Sequence, residues 1–215
     1  MSKRILITGG SSQIARELKK IIPKNNIILT PSKYEFNLSD PKNILKNKKL
    51  ITTCDKIICL HSIISNKEHI NKTNEETINE VNINLISTIN ICELALRFNK
   101  KVRILLMGSE SGIKGSHDII YALCKTSLHK YVEERKILFK DQQLICIAPS
   151  TIIDADMTLM RKDQKNVKKS INLNPKRRGL KSKEIANVIY NLMFNLTDYI
   201  TNTVININGG KFSRM

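Results

Sequence analysis

Tryptophan is absent, and aromatic residues make up only 5% of the 215-residue chain. So few flat side chains leave little on which to stack bases, which argues against a single-strand nucleic-acid binder. No apolar run is long enough to span a bilayer. The stretch Lys3-Arg4-Ile5-Leu6-Ile7-Thr8-Gly9-Gly10 holds too short an apolar run for a signal-peptide core and reads as a buried strand. No export signal is visible, so a cytoplasmic address and no membrane partner are expected. Cys54, Cys59, Cys92, Cys124 and Cys146 are odd in number, scattered, and mostly flanked by Ile and Leu. Neither a disulfide framework nor a C-x-x-C metal knuckle results, so buried thiols and no metal site are expected. Internal repeats and a second domain are also missing.

Acidic residues are scarce beside basic ones: 19 against 36, for a formal net charge of +17. One reading is a phosphate-rich partner. The other is compositional bias, since Lys, Asn and Ile are abundant throughout, as an AT-rich genome produces. The lysines are spread along the chain, with short clusters only at 46–49 and 165–169. Bias, helped by an anionic cofactor or substrate, is the reading preferred, with no nucleic-acid partner.

What is present is an alternation. Short apolar runs at 3–8, 26–30, 34–38, 56–60, 102–107, 142–148 and 203–207 read as strands. Helical spacing appears at 13–22, after Asp40-Pro41, over 74–98, over 118–139 and over 182–196. In 74–98, Ile78, Val81, Leu85, Ile89, Cys92 and Leu96 form one apolar stripe. Runs of Ile, Leu and Val without polar alternation suit a parallel sheet covered on both faces. The expected fold is one α/β Rossmann-like domain over 1–215. It is a doubly wound, mostly parallel sheet of about seven strands with helices on both faces. Residues 151–180 show no period and are expected to be an irregular substrate loop.

The first strand runs into Thr8-Gly9-Gly10-Ser11-Ser12-Gln13-Ile14-Ala15 and then a helix. Glycine permits the sharp turn, and the helix start offers free N–H groups to a pyrophosphate. Ser11 and Ser12 add hydroxyls. This segment resembles the T-G-x-x-G-x-x-G motif of the short-chain dehydrogenases/reductases. It is most similar to the form found in dTDP-4-dehydrorhamnose reductases and their nucleotide-sugar relatives. Gly9 matches the first glycine, Ser12 replaces the second and Ala15 the third. A side chain at Ser12 can crowd the phosphates or distort the turn.

Tyr121 and Lys125 lie four apart on a helix and share a face. An ammonium near a phenol lowers the phenol pKa and makes a usable acid or base. The pair follows strand 104–107 and the turn Gly108-Ser109-Glu110-Ser111-Gly112, an order that resembles the same family. The resemblance implies that Ser109 bonds the substrate oxygen, Tyr121 moves the proton, and Lys125 holds the nicotinamide ribose and tunes Tyr121. It implies a fourth member at Asn84, within a stretch similar to N-x-x-G-T-x-N-x-x-E-x-A. Asn82, or a plain solvated face, is the alternative. Asn37-Leu38 resembles the pair that contacts adenine. Leu60-His61-Ser62 stands where relatives show N-A-G or A-A. His61 reads either as a substrate ligand or as a packed histidine. Pro149-Ser150-Thr151 resembles the P-G turn with Ser for Gly.

No carboxylate follows directly at the tip of the second strand, where Ser32 and Lys33 can meet a phosphate. NADP(H) is therefore expected over NAD(H). The cofactor site expected is Gly9, Ser11, Ser12, Gln13, Ile14, Ser32, Lys33, Asn37, Leu38, His61, Ser62, Tyr121, Lys125, Pro149 and Thr151. The partner expected is a small carbonyl or hydroxyl compound, a sugar or nucleotide-sugar among the options, and Arg161, Lys162, Arg177 and Arg178 read either as contacts for an anionic group or, equally, as a solvated loop. A homodimer or homotetramer through the helices carrying Asn84 and Tyr121 is expected, with Ile83, Ile86 and Ile91 available for it or for the monomer core. Two other functions compete: a non-catalytic NAD(P)-binding regulatory module, favoured by the departures at Ser12, His61 and Ser150, and an epimerase-like enzyme.

Overall fold

The computed structural model describes residues 2–211, so Met1 and residues 212–215 of the expected domain lie outside it. Six strands form one sheet: β1 (Arg4–Thr8), β2 (Ile27–Leu29), β3 (Lys56–Cys59), β4 (Arg103–Met107), β5 (Gln143–Pro149) and β6 (Thr203–Ile207). Their order is β2-β1-β3-β4-β5-β6, and every neighbouring pair is parallel. The chain winds outward from β1 to β2, then restarts at β3 on the other side of β1. That reversal opens a crevice at the carboxyl ends of β1 and β3.

Both faces of the sheet are covered. Leu6, Ile57, Cys59, Ile104, Leu106 and Cys146 face one buried cluster, while Ile5, Ile7, Ile58, Leu105 and Ile147 face the other. The first is closed by α2 (Pro41–Lys46), α3 (Lys48–Thr52), α5 (Ser87–Phe98) and α7 (Ile119–Glu134). The second is closed by α1 (Gln13–Ile21) and α10 (Ser182–Tyr190). This is why strand residues pointing either way are apolar.

The expected strand at 34–38 is absent, which leaves six strands instead of about seven. Phe36 is buried in the core, yet Tyr34 is exposed. The segment closes as a turn, with the N–H groups of Glu35 and Phe36 donating to Ser32 O at 3.2 and 2.9 Å. Burying Phe36 this way satisfies the backbone locally, and β2 stays the edge.

The expected helix 74–98 is α4 (Asn74–Val81), a single wide π turn over Asn82–Ile86, and α5. Thr73 and Glu76 cap its start reciprocally. The wide turn resets the buried face to Asn84, Ser87, Thr88, Ile91, Cys92, Ala95 and Leu96. Ile78, expected on the apolar stripe, is exposed, and Ile91, considered for oligomer contacts, is in the core. After the short α6 (Ser111–Lys114), helix α7 starts where expected, with Asp118 accepting from Tyr121 N, but it ends at Glu134 and not near 139. Residues 151–180 are not uniformly irregular. They hold α8 (Asp156–Leu159) and the amphipathic α9 (Gln164–Asn172), which buries Val167.

Candidate active site

A cavity of about 1310 Å³ lies along the carboxyl ends of the strands. It is large enough for a dinucleotide with a small second ligand.

The glycine turn forms one end. Gly9 has φ +68°, and a Cβ there would lie 2.8 Å from His61 N and 2.9 Å from the Leu60 carbonyl carbon. Only glycine fits. Ser12 N donates to Gly9 O at 3.0 Å, and Ser12 Oγ accepts from Ala15 N at 3.3 Å. The hydroxyl at the replaced glycine thus serves as the N-cap of α1 and leaves the turn intact. Gln13 and Ile14 line the cavity, and the first turn of a helix cannot pair their N–H groups internally. A left-handed glycine beside free helix-start N–H groups is a fitting cradle for a pyrophosphate.

Ser32, Lys33, Asn37 and Leu38 line the same end, with Ser11 between them and the turn. One residue here escaped the sequence reading. Glu35 folds back and accepts Ser32 N–H at 2.8 Å, and this bond holds its carboxyl below the usual range. A carboxylate therefore braces the β2 tip, although it is not among the residues lining the cavity.

His61 is packed, not free. Its Nδ1 bonds Thr8 Oγ1 at 2.5 Å, and its Nε2 bonds Ser87 Oγ at 2.8 Å and Thr88 Oγ1 at 3.1 Å. Burial, helped by the charge of Lys125, pushes it down to about 3, so the ring is neutral. Both ring nitrogens are occupied by protein, while the residue also lines the cavity.

Ser109, at the end of β4, and Tyr121 and Lys125, on α7, meet in the middle of the cavity. Ser109 Oγ accepts from Ser111 N at 3.1 Å and, with Ser62, shares the cavity wall with the Tyr121 phenol. Burial raises its pKa, whereas those hydroxyls and the Arg161 charge act to lower it. Lys125 is fully buried and donates to Met107 O at 2.8 Å, with its ammonium 5.4 Å from the Tyr121 ring centroid. Burial pushes it down to about 8. Lys125 thus stands beside the Tyr121 ring, and burial is the largest influence on the phenol.

Asn84 stands behind the wall. Its Oδ1 accepts from Ser62 Oγ and Ile63 N at 2.8 Å each, and its Nδ2 donates to Ile63 O at 2.9 Å. It fixes the chain that carries Ser62 and does not itself line the cavity. The π turn that reaches this position is a feature found at functional sites.

The substrate end is polar. Arg161 grips Asp163 through two hydrogen bonds of 2.8 and 2.6 Å, which hold that carboxyl down to about 2. Of the four basic residues considered for an anion, only Arg161 lines the cavity. Arg178 is spent on Glu184, at 2.8 and 2.7 Å. Pro149 and Thr151 line the floor, and Thr151 Oγ1 lies 3.3 Å from Ser170 Oγ. A buried network also escaped the sequence reading. Lys72 Nζ bonds Glu80 at 2.6 Å and Asp118 at 2.9 Å, and Asp118 accepts from Ser65 N at 2.9 Å. It ties the loop after β3 to the start of α7. An acidic N-cap three residues before Tyr121 was the available signal.

Among the described residues no group of His, Cys, Asp and Glu is arranged to hold a metal, and no helix is long and apolar enough to cross a membrane. No family model and no curated protein matches the chain. Solved structures do. A short-chain dehydrogenase family protein from Francisella tularensis is 20% identical, with a TM-score of 0.84 over 98% of this chain and 99% of that one. A short-chain dehydrogenase/reductase (glucose/ribitol dehydrogenase) from Brucella melitensis is 17% identical, at 0.82 over 100% of each chain. A short-chain dehydrogenase from Burkholderia cenocepacia, solved with NADP, is 17% identical, at 0.84 over 97% of each. The chain has the fold of these proteins over their whole length.

Proposed function

We propose that this chain is an NAD(P)-dependent oxidoreductase of the short-chain dehydrogenase/reductase type, using NADP(H) in preference to NAD(H). The observation that carries this is the meeting of Ser109, Tyr121 and Lys125 in the cavity that also holds the Gly9 turn and the start of α1. When bound, the nicotinamide gives or takes a hydride at the substrate carbon. Tyr121 moves the proton at the substrate oxygen, within reach of the Ser109 hydroxyl that orients that oxygen. Lys125 is desolvated and poised to trade its bond to Met107 O for a ribose hydroxyl. Asn84 positions Ser62, which lines the cavity with Tyr121.

NADP(H) is supported by Ser32 and Lys33 at the β2 tip and by the NADP found in the Burkholderia cenocepacia structure. The proposed substrate is a carbonyl or hydroxyl compound of the sugar or nucleotide-sugar class. Its support is the similarity of residues 5–18 to nucleotide-sugar reductases, the short link from β2 to Asn37, and the polar substrate end around Arg161 and Asp163. Pairing of two or four copies through α4, α5 and α7 is part of the same reading. Exposed Ile78, Ile119 and Leu123 on these helices support it.

The test is titration with NADPH and NADH by nicotinamide fluorescence, then turnover on sugars, sugar nucleotides and small ketones. Tighter NADPH binding together with turnover supports the reading. Dinucleotide binding without turnover across the panel points instead to a regulatory module, and binding of neither removes the reading.

A further inference from the structure

The turn that presents Ser109 is unusual in how its backbone is satisfied. Gly108 N and Glu110 N continue the sheet ladder by donating to Ile147 O at 2.8 Å and Pro149 O at 2.9 Å. Ser109 N points the other way, toward the side of β3. That strand has already ended at Cys59, so no ladder acceptor exists for this N–H. His129 supplies one: its Nε2 accepts from Ser109 N at 3.3 Å. His129 follows Lys125 by one helical turn on α7 and is buried.

The two glycines of the turn are shaped around this ring. A Cβ on Gly108 would fall on His129 Nε2, and one on Gly112 would lie 2.7 Å from His129 Cε1. The backbone N–H donates, so Nε2 must carry no proton. Burial and the nearby Lys125 charge push the imidazole down to about 4, which keeps it neutral. Removing this acceptor leaves a part-buried N–H unpaired, at the residue that shares the cavity wall with Tyr121.

We propose that His129 is a positioning residue: by accepting the Ser109 N–H and filling the space left by Gly108 and Gly112, it holds the turn that presents Ser109 to the cavity beside Tyr121. This rests on the oxidoreductase reading for its kinetic consequence, but not for the contact itself.

The experiment compares wild type with His129→Leu, which keeps the volume and loses the acceptor, and with His129→Gln, whose amide oxygen reaches the same place. Two signals that need no turnover are read first by NMR: the Ser109 amide proton and the Tyr121 ring carbon bonded to the hydroxyl. Turnover and the dinucleotide Kd follow. The proposal expects both signals to move in His129→Leu. It expects kcat to fall about tenfold or more with KM changed less than about threefold, an unchanged dinucleotide Kd, and recovery of most of kcat in His129→Gln. If His129→Leu does not fold, His129→Asn, whose amide is too short to reach Ser109, takes its place and the same results are expected. Static NMR signals, or kcat within about twofold of wild type, overturn the proposal. So does equal damage in His129→Gln, which marks a merely structural role. If the wild type turns over nothing while both signals move together, the oxidoreductase reading falls and the hold of His129 on Ser109 and Tyr121 stands.

Discussion

The two ends of the cavity are built differently. At the glycine-turn end, β1 and α1 are sewn into the core: Ile5, Leu6, Ile7, Ala15 and Leu18 are all fully buried. The one buried imidazole of this region is saturated by fixed partners: His61 is bonded by Thr8, Ser87 and Thr88. At the other end, residues 151–180 bury only Ile152, Val167 and Asn174 among their side chains. That segment is held by hydrogen bonds and ion pairs, including Asn66 Nδ2 to Met160 O at 3.2 Å and Arg161 with Asp163. A region held by apolar burial opens only with the whole fold, whereas one held by a few polar contacts opens locally at low cost. The first suits a constant ligand and the second a ligand that must enter and leave.

The sharpest break of this comparison is at the chemistry between the ends. Tyr121→Phe is expected to lower turnover by about 10³-fold while the NADPH Kd stays within about twofold; steady-state kinetics beside fluorescence titration reads both. Turnover near wild type in this variant ends the assignment.

Next is the rigid end. Gly9→Ala places a methyl against the backbone of Leu60 and His61 at a positive φ. NADPH affinity is expected to fall by about 10²-fold or more, with a lower Tm, because fixed backbone cannot yield as a side chain can. A variant that binds normally would show the turn to be softer than its burial implies.

Acid should strike first at two packed histidines, one at the rigid end and one beneath the Ser109 turn. His61 and His129 are held down to about 3 and about 4 in the fold, against 6.5 when free. Below pH 6.5 the unfolded chain therefore binds more protons than the native one, and stability falls as pH drops toward those values. At about 1.4 kcal/mol per pKa unit, the pair accounts for a loss of several kcal/mol by about pH 4. Denaturant melts across that range check it, and His61→Gln should flatten the slope. Lys56 and Lys125, both pushed down to about 8 from 10.5, act with the same sign at the alkaline side. There stability is expected to rise between about pH 8 and 10.5.

The smallest effect belongs to the polar end. Arg161→Ala is expected to raise KM for the carbonyl substrate about tenfold and to leave both the NADPH Kd and Tm nearly unchanged. An equal loss of Tm would mean that the Arg161–Asp163 pair supports the fold, and the contrast between the ends would blur.

Much of the rigid end was legible from local pattern. The alternation of elements, the Gly9 turn, the Asp40-Pro41 helix start, and the shared face of Tyr121 and Lys125 each depend on residues within a few positions of one another. The helices in 151–180 were not legible, because the amphipathic pattern of α9 rests on Val167 and Ile171 among lysines and asparagines. The turn at 34–38 shows the limit from the other side. Its residues suit a strand, and what excluded one was the place of Phe36 in a core formed by α2, α3 and α5.

By itself the sequence determined that strands and helices alternate, that the strands are buried on both faces, and that a glycine turn and a Tyr–Lys helix face exist. Periodicity and turn chemistry are written into neighbouring residues and survive without knowledge of the rest of the chain. Only the tertiary structure decided that Asn84 works from behind the wall, that Lys125 donates to Met107 O, that Lys72 joins Glu80 to Asp118, and that His129 completes the backbone of Ser109. Each of these is a buried polar atom finding a partner far away in the chain. Which partner stands within hydrogen-bond reach is set by how the sheet and its helices pack, and no local pattern records it.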